Sequence, residues 1–302
     1  MGFRATNAVT VLSGDTSLRQ ALLMKETARP SLPAAAEFPP FEYKPGPLDA
    51  GVLLICDHAS KALPPEYGSL GLPPVAFARH IAYDIGAADL TRALAARLNA
   101  PAALSTFSRL LIDPNRGADD PTLVMRYSDG VIVPANARID AAEIARRRER
   151  FWAPYRNIIM ATIEKMMASG EPPAVISIHS FTPVWRGVSR RWKVGVLWDQ
   201  DDRMPRPLIE KLLGEPDIQD GGVGDNEPYD GALAGDTIDA VATPLMLANA
   251  LIEIRQDLID SPEGAAEWAD RLTRLFKPML ADRSAREPKD FGSRARRGRA
   301  GG

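Results

Sequence analysis

Cysteine, surplus charge and long apolar runs are all scarce in this 302-residue chain. The single Cys56 excludes an intramolecular disulfide framework and any cysteine-rich zinc module. Lysine and arginine total 37 against 39 aspartates and glutamates, so no global basic field points to nucleic acid. No apolar run approaches the roughly 20 residues of a membrane helix. The start of the chain also lacks the apolar core of a secretory signal, and the expectation is a cytoplasmic protein. Met1–Thr6 fits the myristoylation pattern, which is permissive enough for chance to account for it. G-x-S-x-G is missing, which argues against Ser60 or Ser180 as an acyl-enzyme nucleophile. Neither G-x-x-x-x-G-K-S/T nor a strand-following G-x-G-x-x-G is present, which argues against nucleotide cofactors.

What remains is the composition of a globular protein, 45% hydrophobic and 25% charged. Pro30, Pro33, Pro39, Pro40, Pro45 and Pro47 make residues 1–48 an extended arm, in which 17–26 alone could form a short helix. Residues 283–302 set Arg283, Arg286, Arg294, Arg296, Arg297 and Arg299 among small residues and read as a disordered, solvated tail. Between them, residues 49–282 read as a single α/β domain. Gly51–Cys56 and Ala174–Ile178 are short continuous apolar runs of the kind buried on both faces of a sheet. Ala102–Phe107, Arg109–Ile112, Lys193–Trp198 and Ala250–Ile254 are further strand candidates, with helices predicted over 85–98 and 141–169. Alternating strands and helices imply a mixed, mostly parallel sheet flanked by helices. Ligands on such sheets lie beyond the carboxyl ends of the strands.

Those ends carry chemistry. Gly51–Cys56 is followed by Asp57-His58-Ala59-Ser60, and Ala174–Ile178 by His179-Ser180-Phe181-Thr182. Two of three histidines thus sit at the tips of buried strands. His80 precedes Asp84 by four residues, one face of a helix if that stretch is helical. A lone histidine there is ordinarily a hydrogen-bonded structural residue; two with a carboxylate nearby are the ligand types of catalytic zinc. Asp113-Pro114-Asn115-Arg116 is turn chemistry by default, yet it can also project Asn115 and Arg116 as a carboxylate-binding pair. Glu253 is an ionisable residue inside an apolar strand. Either it faces solvent, paired with a neighbour such as Arg255, or burial raises its pKa and suits it to act as a general base. Asn226, Glu227 and Tyr229 either rim a pocket or cap their loop. Trp152, Pro154 and Tyr155 read as packing. Trp185 and Trp192 bracket a basic loop (Arg186, Arg190, Arg191) that could cover a cleft or meet a partner.

Six colinear fragments, DHAS (57–60), HIAYDIGA (80–87), SRLLIDPNR (108–116), SIHSFTP (177–183), GDNEPYDG (224–231) and IEIRQDLI (252–259), together resemble the N-formylglutamate amidohydrolase family over about residues 50–280. The resemblance implies a fold like that of zinc carboxypeptidases and aspartoacylase-type deacylases. It implies hydrolysis of N-formyl-L-glutamate to formate and L-glutamate, a reaction of histidine degradation. It also implies zinc, or another divalent ion such as Co or Mn, held by His58 and His179. Those relatives place a Glu three residues after the first histidine, where this chain has Lys61. Asp84 is taken as the third ligand, with Glu66 and His80 as rivals. By the same likeness, Asn115 and Arg116, aided by Arg109, anchor a substrate carboxylate, Asn226 and Tyr229 line the pocket, and Glu253 is the base. The implied partner is a small N-acyl amino acid, with no nucleic acid or membrane; another acyl amino acid, a small peptide or cell-wall fragment, or a non-catalytic metal-binding role are the alternatives.

Overall fold

The apolar runs occupy the middle of a sheet, because residues with no polar face are stable only where helices cover both sides. The computed structural model describes residues 38–218 and 221–297. Its main sheet contains β1 (Phe41–Lys44), β2 (Val52–Cys56), β3 (Ala102–Ser105), β4 (Ala174–Phe181), β5 (Val194–Leu197), β6 (Val223–Asp225) and β7 (Asn249–Arg255), in the spatial order β1-β3-β2-β4-β7-β5-β6. Neighbours β3, β2, β4 and β7 run parallel, as do β5 and β6; β1 pairs antiparallel with β3, and β7 with β5. The sheet is mixed and mostly parallel, as the pattern predicted.

Helices α1 (Ala87–Leu98), α2 (Ala141–Arg147), α3 (Ala153–Ala168), α4 (Pro205–Leu213), α5 (Thr237–Val241) and α6 (Pro262–Ala281) complete the layers. On one face, Val52, Leu54, Ile176, Ile178, Ile252 and Ile254 pack with Leu90 and Leu94 of α1 and Trp268, Leu272 and Phe276 of α6. Full burial of such side chains contributes roughly 1.5–3 kcal/mol each. Helix α3 covers β1, β2 and β3 from the opposite face. Because side chains alternate along a strand, residues 53, 55 and 57, 175, 177 and 179, and 249, 251 and 253 share that second face. Parallel pairing of β7 with β4 then sets Glu253 against His179. This register builds the site.

Several expectations change. Arg109–Ile112 is not a strand: Leu111 N donates to Ser108 O at 2.9 Å and Leu110 N to Ser108 Oγ at 3.2 Å, so the buried apolar run turns. His80 and Asp84 lie in a turn, not on one helical face. The predicted 141–169 helix is continuous but contains a π turn over Arg148–Trp152. Within the expected arm, residues 41–44 form the edge strand β1. Within the tail expected to be disordered, Arg283, Arg286, Arg294 and Arg296 find acceptors on the body. Buried Arg286 donates to Pro172 O at 2.7 Å and Glu171 at 3.1 Å, while Arg294 bridges Asp199 and Asp230. The 17–26 helix, the Met1–Thr6 pattern and the last five residues lie outside the described residues. No helix among the described residues is long and apolar enough to cross a membrane.

Candidate active site

His58 stands two residues beyond β2, and its carbonyl accepts the backbone N–H of Asp84 at 2.9 Å. That bond folds the 79–84 turn back onto the strand end. The chain then enters α1 through Gly86, at φ 80°, where an added Cβ would lie 2.0 Å from Ile259 O. Backbone this close to backbone admits only glycine. The result is convergence: Nδ1 of His58 lies 3.3 Å and Nδ1 of His179 2.9 Å from Asp84 Oδ2. One ligand atom from each of the three residues falls within 4.8 Å of the others, and all three are buried. These residues could hold a metal ion.

The donor set fits one. Each imidazole has its other nitrogen held by a buried carboxylate: His58 Nε2 lies 2.7 Å from Asp113 Oδ1, and His179 Nε2 3.0 Å from Asp57 Oδ2. Such partners orient ligating histidines and leave the second nitrogen for the metal. Asp57 is in turn fixed by Ser177 Oγ at 3.0 Å and Thr237 Oγ1 at 2.6 Å. Asp57, Asp84, Asp113 and Glu253 are all buried, and among the described residues Arg109 is the permanent cation that pairs with the group. Buried carboxylates in such excess call for a further cation. The local electrostatics run the same way. Burial works against ionised Asp84, but His58 and His179 outweigh it and hold its pKa well below the carboxylate range. Burial likewise opposes the charge on His179, yet its bonds to Asp57 and Asp84 hold its pKa well above that of ordinary imidazole.

The cluster forms one wall of a cleft of about 480 Å³ lined also by Arg109, Asn115, Arg116, Tyr229 and Glu253. Glu253 is 6% exposed, and its Oε2 has no hydrogen-bond partner among the described residues. Burial, the main cause, raises its pKa to about 7. Beside it on β5 is Gly195, where a Cβ would fall 2.2 Å from Glu227 O, so the 226–229 loop lies directly against the strand.

The two arginines of SRLLIDPNR separate. Arg109 donates to Asp113 Oδ2 at 2.7 Å and lies 3.7 Å from Asp84, so it braces the His58, Asp84 and His179 cluster and is occupied. Arg116 donates to Asn115 O and Thr122 Oγ1 and has no carboxylate partner among the described residues. Asn115 Oδ1 accepts Thr237 N at 2.9 Å, leaving its amide NH₂ for the cleft. Asn226 is not among the lining residues: its Oδ1 accepts Trp198 N and Gly231 N, which holds the loop. Tyr229 does line the cleft and accepts Arg190 Nη1 at 3.0 Å. Of the rival ligands, Glu66 is half exposed and pairs with Arg150, and His80 lies on the outer wall against Trp185 and Asp129.

Residue-type reasoning passed over Asp57, Asp113 and Arg190. The first two lie within the motifs DHAS and SRLLIDPNR, and a search for carboxylates beside candidate ligands would have raised them. Arg190 packs on Phe181, Trp185 and Tyr229 and has no carboxylate partner among the described residues. Nothing local distinguishes it from Arg186 or Arg191.

Comparison with known proteins follows the same line. The family described as N-formylglutamate amidohydrolase matches residues 50–260. A gene product from Agrobacterium tumefaciens is similar in structure, with 32% identity, a TM-score of 0.73, and coverage of 80% of this chain and 94% of that one. An N-formylglutamate amidohydrolase from Ralstonia eutropha shares the fold at 21% identity and a TM-score of 0.59, covering 80% of this chain and 97% of its own. No curated protein matches the chain.

Proposed function

The chain belongs to the N-formylglutamate amidohydrolase family, and from that premise we propose that it is a metal-dependent hydrolase of a small N-acyl amino acid, N-formyl-L-glutamate first. One observation carries the reading: two imidazoles with carboxylate-held outer nitrogens converge on Asp84, in the cleft that contains the unpartnered, buried Glu253. His58, Asp84 and His179 hold the metal, with zinc as first choice and cobalt or manganese suited to the same donors. When bound, such an ion acts as a Lewis acid, polarising the acyl carbonyl and acidifying water.

The protein's own groups do the rest. Glu253 takes a proton from the attacking water and returns it to the departing amine nitrogen, a task that favours a pKa near the working pH. Arg116 supplies a planar fork for a substrate carboxylate, with the Asn115 amide as a neutral donor beside it. Arg109 keeps Asp113 ionised and in place behind His58. Arg190, on the aromatic wall, is the candidate for the second carboxylate of a glutamate substrate. The apolar and aromatic lining, Phe181, Trp185, Leu197, Leu233 and Leu251, favours a second reading in which a bulkier N-acyl amino acid uses the same machinery.

Elemental analysis and a substrate panel test this. Purified protein should carry about one divalent ion per chain, and His58→Ala with His179→Ala should abolish it. N-formyl-L-glutamate should be turned over faster than N-formyl, N-acetyl and N-acyl derivatives of apolar amino acids. Undiminished metal in the double variant would overturn the metal assignment, and preference for an apolar derivative would select the second reading.

A further inference from the structure

We infer that Arg156 is a positioning residue for the carboxylate-binding corner of the cleft, acting from behind through the backbones of two loops. The inference rests on the reading of Arg116 as the anchor. Residues 114–116 are a loop segment and 234–236 a turn leading into α5 at Thr237, neither with a partner strand, so something other than the sheet must hold them. Arg156 Nη2 lies 3.1 Å from Pro114 O, 3.0 Å from Arg116 O and 2.8 Å from Gly235 O. Its guanidinium stacks 4.2 Å from the ring centroid of Trp152, whose Nε1 donates to Arg116 O at 3.0 Å.

Trp152 and Arg156 stand four residues apart, which brings both to one helical face beside the cleft. The loops are joined to each other as well, by Thr237 N to Asn115 Oδ1 and Thr237 Oγ1 to Pro114 O. Arg156 therefore closes a bracket around the two side chains that meet the carboxylate. It is buried and makes no ion pair among the described residues. A buried charge is an expensive way to fill space. A planar group donating to carbonyls of both loops does what no apolar side chain could. The consequence for function follows from geometry: displacement of a binding group by about 1 Å can cost on the order of 10²-fold. Trp152 belongs to the same device, although its sequence context suggested packing alone.

Steady-state kinetics with three variants tests the inference. The substrates are N-formyl-L-glutamate and whichever of its two monoamides the wild type penalises more. Arg156→Lys keeps the charge but loses the fork, and Trp152→Phe keeps the ring but loses the bond to Arg116 O. Both should raise KM for N-formyl-L-glutamate roughly tenfold, with kcat within about threefold and metal content unchanged. On the monoamide the penalty should vanish, and combination with Arg116→Ala should add almost nothing. Equal losses on both substrates, or full additivity with Arg116→Ala, would overturn the inference while leaving Arg116 as the anchor. If Arg156→Lys does not fold, Trp152→Phe decides by the same criteria. A wild type that accepts both monoamides as readily as the diacid refutes the anchor reading, and this inference falls with it.

Discussion

Glu253→Gln removes one titrating proton from the cleft while preserving side-chain size. Burial raises this carboxyl from an ordinary 4.5 to about 7, a gap corresponding to about 3 kcal/mol. The sign is set by which state holds the proton. Between those values folded Glu253 remains protonated while the unfolded chain has released its proton. The contribution to stability is thus fully present below 4.5 and is lost as pH rises through about 7. Glutamine has no such dependence. Metal-stripped Glu253→Gln should therefore gain on metal-stripped wild type by up to about 3 kcal/mol between roughly pH 4 and 8. Urea unfolding followed by tryptophan fluorescence measures this, and the unpaired amide adds only a pH-independent offset. In turnover the base must be ionised, so activity rises with pH, and a bound dication moves the midpoint below about 7. The loaded variant should keep its metal and lose turnover by roughly 10²–10⁴-fold. A stability difference that stays flat with pH would refute the burial argument. An active Glu253→Gln enzyme would refute the assignment of the base.

Other residues give separate expectations. Asp113→Ala should weaken metal binding by about 10–100-fold in a chelator competition, because His58 loses the carboxylate that orients it; wild-type affinity would make that contact incidental. Arg116→Ala should lower kcat/KM by roughly 10²–10³, and Arg116→Lys should recover little, since a point charge cannot replace a fork. A fully active lysine variant would refute the two-pronged contact. Gly195→Ala places a methyl 2.2 Å from Glu227 O, and displacing that loop should cost about 1–3 kcal/mol in thermal or urea unfolding. Unchanged stability would show that the loop yields freely.

The central architecture was readable in the sequence because each of its signals is local. GVLLIC and AVISI are apolar on both faces apart from the small Ser177, so they read as strands covered on both sides wherever they lie in the chain. The placement of His58 and His179 near the carboxyl ends follows from those runs, as does the embedding of Glu253 in an apolar strand. The family likeness rests on the same short motifs. Local signals misled where backbone direction depends on distant contacts. Arg109–Ile112 reads as a strand but turns, and Arg286 and Arg294 look solvated until the body supplies their acceptors.

What tertiary structure alone decided is pairing. His58 meets Asp113 across 55 residues and His179 meets Asp57 across 122; no periodicity encodes such a separation. The alternation of β4 and β7 leaves either face open to Glu253, and only their register sets it against His179. Arg109 and Arg116 are equivalent in a motif, yet one is occupied by Asp113 and the other remains available. Residue type determines which chemistry is possible, and local pattern determines which elements form. Which groups neutralise, orient or leave one another free depends on contacts between segments far apart in the chain, and those exist only once the sheet has assembled.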